Sequence, residues 1–218
     1  MLVNKEIFHT LCNSFKEKAV TLIAVSKTKP IEAIEALYAL GQRDFGENYV
    51  QELVEKQAAL PKDIRWHFIG HLQSNKVKFI APFVHLIHGV DSEKLLLEIN
   101  KQAAKNNRKI DCLLQMHIAT EETKFGFDAN ELNDLLGKLT ATPTMANISI
   151  NGLMGMASFS NDKQLVTDEF ALLASLFNKY FKKETATLSM GMSGDYTIAI
   201  EQGSNMVRIG SLLFGTRA

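Results

Sequence analysis

Apolar residues alternate with polar or small ones over short runs, and longer stretches between those runs repeat their apolar positions every three or four residues. The first period is that of a half-buried strand and the second that of an amphipathic helix. Strand-like runs cover 21–27, 44–48, 65–70, 84–90, 110–118, 148–156, 187–192 and 206–214. Helical spacing fills the intervals: 30–40 stopped by Gly41, 49–60 before Pro61, 74–80 before Pro82, then 92–106, 129–139, 164–180 and 196–202 stopped by Gly203. Proline at a helix start and glycine just past its end are the expected punctuation. Asp128 with Glu131 three residues later reads as a capping box.

Strands joined throughout by helices must pair in parallel. At about 27 residues per strand–helix unit, the chain sits at the compact end for a closed (β/α)8 barrel. The competing open, doubly wound sheet calls for a Gly-rich phosphate loop after an early strand. The turn in question reads Ser26-Lys27-Thr28-Lys29-Pro30 and GxGxxG is absent, which favours the barrel. The expectation is one α/β domain over 1–218, with a helix near 3–18 covering the end where no helix follows the last strand.

In such a barrel the chemistry collects at the C-terminal strand ends, with phosphate commonly held after strands seven and eight. Thr21, Ile23, Val25 and Lys27 share one face of the first strand, so Lys27 continues a largely apolar row. If that row points inward, the amine lies at the mouth of a poorly solvated core, where burial disfavours the ammonium and frees it to attack an aldehyde. A solvated lysine just past a strand is the alternative. Lys29, before Pro30, is expected to face water. Ser193-Gly194-Asp195 and Gly210-Ser211 are small-residue turns able to cradle a phosphate or simply to turn the chain, and both are expected opposite Lys27. Arg208 in the apolar run VRIG needs a partner. His67 in RWHFIG fits either a ring against a cofactor or a satisfied core histidine. Met154, Met156, Met190 and Met192 read as gap-filling core.

Composition narrows the partners. Lys+Arg and Asp+Glu both number 24, so no global field draws the chain to nucleic acid or an anionic membrane. Cys12 and Cys112 have no metal-like companions and read as reduced structural thiols of a cytoplasmic protein. No apolar run reaches signal-peptide or membrane-spanning length.

The motifs AVSKTKP, DFGENYVQE, WHFIGHLQSNK, TEETKFGF, LSMGMSGD and MVRIGSLLFG, in that order, resemble those of the pyridoxal-phosphate homeostasis proteins. These are small single-domain relatives of the alanine racemase N-terminal barrel. The resemblance runs from about Leu22 to Gly215 and implies a (β/α)8 (TIM) barrel with an extra N-terminal helix. It also implies pyridoxal 5′-phosphate held as an internal aldimine on Lys27, with Asn48 and His67 near its ring, Ser193, Gly210 and Ser211 around its phosphate, and Arg208 beside its pyridine nitrogen. An arginine there disfavours ring protonation and weakens the ring as an electron sink. The implied function is therefore cofactor homeostasis without turnover: no catalytic residue and no metal, a monomer or weak homodimer, and cofactor-requiring apoenzymes as possible recipients. An amino-acid racemase, which would need a second base, and a cofactor-independent Schiff-base aldolase are the alternatives. Asn205, His117 and Gly155-Met156-Ala157 depart from the family pattern.

Overall fold

The computed structural model describes residues 2–121, 125–141, 145–182 and 184–215. Its strands are β1 Thr21–Val25, β2 Asp44–Glu47, β3 Arg65–Phe68, β4 Leu86–Val90, β5 Ile110–Met116, β6 Ile148–Gly155, β7 Thr187–Met192 and β8 Met206–Ile209. All pair in parallel with their sequence neighbours, and β8 returns to β1, so the sheet closes into an eight-stranded barrel. The helices are α1 Lys5–Glu17, α2 Ile31–Tyr38, α3 Val50–Ala59, α4 Val77–Ile80 after a 3-10 turn, α5 Glu93–Lys105, α6 Ala129–Ala141, α7 Lys163–Tyr180, α8 Tyr196–Glu201 and α9 Ser211–Phe214. Every expected strand and helix is present, with ends trimmed by a few residues. The capping box forms as read: Asp128 Oδ1 accepts from Glu131 N at 2.8 Å, and Glu131 Oε2 accepts from Asp128 N at 2.9 Å.

One boundary differs in kind. The run 206–214 is not a single strand: the chain leaves the ladder at Ile209, Gly210 turns in the αR region, and its carbonyl accepts from Leu213 and Phe214 to start α9. A short helix therefore does follow the last strand. α1 covers this end as anticipated, burying Phe8, Leu11 and Phe15, and its N-cap Asn4 donates from the backbone N–H to Leu213 O at 2.8 Å.

Two apolar layers result from the strand alternation. Residues facing outward, such as Leu22, Ala24, Phe45 and Phe68, pack beneath the helices in the main core. Inside the barrel, Ile23, Leu86, Leu113, Met154 and Met206 form a second, smaller cluster. Gly152 marks a place where the β6 backbone must take φ +145°, and a Cβ there would stand 1.9 Å from Thr187 O, which fixes how β6 meets β7. Cys12 and Cys112 are both free thiols, and burial pushes the Cys112 thiol far up. Among the described residues no helix is long and apolar enough to cross a membrane.

Candidate functional site

A cavity of about 570 Å³ opens at the C-terminal mouth of the barrel. Lys27, Asn48, Ser193, Arg208, Gly210 and Ser211 all line it. His67 does not: it is 1% exposed and lies lower in the barrel, two residues before Ile69, which does reach the cavity. Of its two readings, the satisfied core histidine is the one realised, because Asp44 Oδ1 and His88 Nε2 stand at 3.0 Å from its two ring nitrogens.

Lys27 is placed by what is clamped behind it. Ser26 faces outward, fully buried, and donates to Glu47 Oε1 at 2.6 Å. From α3, Lys56 Nζ donates to the Ser26 carbonyl at 2.7 Å, to Glu47 Oε1 at 2.8 Å and to Glu52 Oε1 at 2.6 Å. Burial pushes the Glu47 carboxyl up, against the pull of Lys56 and Ser26. The next residue, Thr28, sits at φ +61°, a region that costs a β-branched side chain about 1–2 kcal/mol, and its N–H is tied to Glu52 Oε1 at 2.6 Å. With Ser26 and Thr28 both pinned, Lys27 is held half-buried on the inward row of β1. Lys29 is occupied elsewhere, donating to Phe214 O at 3.1 Å and Gly215 O at 3.3 Å. It does not simply face water.

The two small-residue turns are beside Lys27, not opposite it. β8 is hydrogen-bonded to β1, Ile23 stands level with Arg208, and a Cβ on Gly210 would lie 3.5 Å from Val25. Ser193 Oγ accepts from Gly210 N at 3.2 Å, which joins the turns after β7 and β8 and leaves the Ser193 hydroxyl hydrogen able to donate into the cavity. Asp195 Oδ1 accepts from Met192 N at 2.5 Å. Arg208, 4% exposed, donates from Nη1 to Ser189 O at 2.9 Å and Ser189 Oγ at 2.6 Å, and from Nη2 to Gly155 O at 3.0 Å. Burial lowers its pKa to about 10, with the Asp195 charge acting in the other direction, so it remains a cation at neutral pH.

Two features suit this cavity to an anionic, partly polar guest. Among the described residues its charged lining is Lys27, Lys29 and Arg208 against Asp195. Asn48 Oδ1, on the cavity wall, is buried with no hydrogen-bond partner among the described residues. A buried orphan acceptor calls for an explanation, and a donor on a bound ligand supplies one. Gly70 keeps this wall close-packed: a Cβ there would stand 2.5 Å from Asn48 O.

Several residues escaped the sequence reading. Met156 and Met192 line the cavity, whereas Met154 and Met190 are core as expected. Ser158, beside the cavity, is tied to buried Glu169 of α7 through its N–H at 2.6 Å. His88 and Ser189 continue the chain from His67 to Arg208; their signal was a polar residue in an otherwise apolar strand. Asn205, one departure from the family pattern, braces the start of β7 through Leu188 N and Ala186 O, both at 2.8 Å, away from the cavity. His117 contacts Glu121 O at 3.0 Å, and part of the TEETKFGF loop, 122–124, lies outside the described residues.

A closed parallel barrel of eight strands is the fold of the alanine racemase N-terminal domain, and the model of that family matches residues 8–218. Within it, the chain belongs to the pyridoxal phosphate homeostasis protein family. It is 40% identical over 205 residues to the pyridoxal phosphate homeostasis protein of Aquifex aeolicus, covering 92% of this chain and 89% of that one. The structure of PipY from Synechococcus elongatus with PLP bound superposes with a TM-score of 0.84 at 34% identity, covering 96% of this chain and all of PipY. Alanine racemase from Streptomyces coelicolor, at 15% identity and a TM-score of 0.72, shares the fold.

Proposed function

We propose that this protein holds pyridoxal 5′-phosphate reversibly through Lys27 and serves the intracellular supply of that cofactor, without turnover of its own. The reading rests on one observation above the others: Lys27, Arg208 and the joined turns at Ser193 and Gly210 line a single cavity in a chain of this family. When bound, the cofactor supplies an aldehyde for the amine and a phosphate for the turns. Ser193, Ser211 and the backbone around Gly210 would take the phosphate, Asn48 would offer its Oδ1 to a donor on the ring, and Lys27 would supply the amine for the attachment. Arg208 would stand beside the ring nitrogen as a cation and so oppose its protonation, which suits storage better than carbanion chemistry. His67 supports Arg208 from below rather than touching the ring. One domain, a cytoplasmic address and apoenzyme recipients belong to the same reading.

Borohydride reduction of the cofactor-loaded protein followed by peptide mapping tests it. The expected product is one phosphopyridoxyl group on Lys27, and Lys27→Ala is expected to lose the visible absorption. Modification at Lys29, Lys76 or Lys124 in its place would overturn the assignment.

A further inference from the structure

Aliphatic layers ordinarily fill the interior of a (β/α)8 barrel. Here a line of polar side chains crosses it. Arg208 Nη1 lies 2.6 Å from Ser189 Oγ; Ser189 Oγ lies 3.0 Å from His88 Nδ1; His88 Nε2 lies 3.0 Å from His67 Nδ1; and His67 Nε2 lies 3.0 Å from Asp44 Oδ1. Arg65 closes the far end, donating to Asp44 Oδ1 at 2.6 Å. His67, His88, Ser189 and Arg208 are all buried. Asp44, Arg65 and His67 line a second cavity at the opposite, N-terminal mouth, together with His85 and Asp111.

The ends of this line dictate the hydrogens in the middle. A carboxylate only accepts and a guanidinium only donates. His67 therefore carries its hydrogen on Nε2, toward Asp44. Burial holds both imidazoles below their usual pKa, His88 the further; on His67 it outweighs the upward pull of Asp44, and on His88 the Arg208 charge adds to it, so each ring has a single hydrogen at neutral pH. His67 Nδ1 is then an acceptor and His88 must donate from Nε2. His88 Nδ1 is in turn an acceptor, and the Ser189 hydroxyl donates to it, leaving the oxygen lone pairs to Arg208. All four bonds run one way, from guanidinium to carboxylate. The charged and titratable groups facing the line are Arg65 beside Asp44, His85 edge-on to His67 at 5.3 Å, Asp111 near His85, and Asp195 acting on Arg208 from the cavity side.

We propose that Ser189 and His88 are positioning residues for Arg208: a one-way hydrogen-bond chain anchored on Asp44 at the opposite mouth fixes the guanidinium that faces the cavity. The proposal deepens the function given above and, in its last clause about the cofactor, rests on it. A reversed chain, with hydrogen on His88 Nδ1, would leave the Ser189 hydrogen without an acceptor in the line.

The first arm of the test uses cofactor-free protein and so is independent of what the cavity binds. Long-range 1H–15N correlation spectra are expected to show His67 and His88 neutral and protonated on Nε2 at pH 7. The Nδ1-protonated form of either ring, or a cation, overturns the chain. In the same sample the Arg208 Nε–H is expected to be rigid, and in Ser189→Ala several-fold more mobile by 15N relaxation; equal mobility overturns the positioning role. The second arm uses protein reconstituted with pyridoxal phosphate. Ser189→Ala and His88→Gln are expected to shift the pH midpoint of the bound cofactor's visible band by half a unit or more and to speed its release several-fold. Unchanged spectra and release in both variants overturn the influence on the cofactor. A wild-type protein that takes up no pyridoxal phosphate, yet passes the first arm, refutes the proposed function and leaves the positioning of Arg208 standing.

Discussion

Two buried cations, Lys56 behind β1 and β2 and Arg208 inside the barrel, are solvated in opposite ways. Lys56 meets two carboxylates and a carbonyl within 2.8 Å. Arg208 meets a hydroxyl and two carbonyls, and no salt bridge to it occurs among the described residues. The first charge is cancelled where it stands and serves to pin the turn that carries Lys27. The second is hydrogen-bonded only to neutral dipoles among the described residues, and Asp195 acts on it from the cavity side, so its field reaches the cavity less quenched than that of Lys56. Burial by itself says little about a charged residue's task; the kind of partner tells the two apart.

The difference implies unequal stability costs. Lys56→Met strands Glu47, fully buried and with Oε2 unpaired among the described residues, without its compensating charge. Removing one partner of such a pair costs about 3–5 kcal/mol, and urea unfolding is expected to show a loss of that size. Arg208→Met removes the buried charge itself and leaves only neutral acceptors behind, so its expected cost is about 1–2 kcal/mol, while cofactor retention falls sharply. Equal losses in the two variants would break the comparison.

Acid tests the anchor of the Arg208 line. Burial alone would raise the Asp44 carboxyl, but hydrogen bonds from His67 and Arg65 bring it down to about 2 from an ordinary value of 3.8. A depressed carboxylate contributes stability above its unfolded pKa and loses it as pH falls, here between about pH 4 and pH 2, amounting to about 2 kcal/mol. His67 and His88 act earlier and with the same sign: their imidazoles are held below 6.5, so stability starts to fall as pH drops under that value. Asp44→Asn is expected to flatten the lower limb of the stability–pH curve measured by urea titration. An unaltered lower limb would mean the anchor is not ionised in the way the line requires.

The strands and most of the cavity were legible because they depend on local alternation. Lys27 and Asn48 fall at the ends of period-two runs, past the last ladder residue, where a side chain leaves the sheet yet keeps its face. The end of β8 was misjudged because GSLLF is as apolar as a strand, and only the Gly210 backbone reveals the turn. The relation of the phosphate turns to Lys27 depends on closure: sequence distance puts β8 far from β1, and the barrel makes them neighbours. The polar line was hidden for another reason. His88 and Ser189 are 101 residues apart, and the pairing slips between Ile87 and Val90, between Cys112 and Leu114 and between Ser189 and Met192. Each slip changes the parity of inward positions, so counting by twos cannot foretell which layers meet.

The smallest effect is expected from a pair that matches Lys56 in distance and differs in setting. Lys138 Nζ stands 2.9 Å from Glu93 Oε2, against 2.8 Å for Lys56 and Glu47, but the Lys138 and Glu93 side chains are 62% and 44% exposed. Water screens that attraction, and holding two long side chains together offsets what remains. Removing Lys138 strands nothing, since Glu93 is simply rehydrated. The thermal midpoint of Lys138→Ala is therefore expected to fall within the scatter of replicate melts, at low and at high salt alike. A loss approaching that of Lys56→Met would mean that distance rather than desolvation sets the strength of these pairs, and the contrast between Lys56 and Arg208 would lose its physical basis.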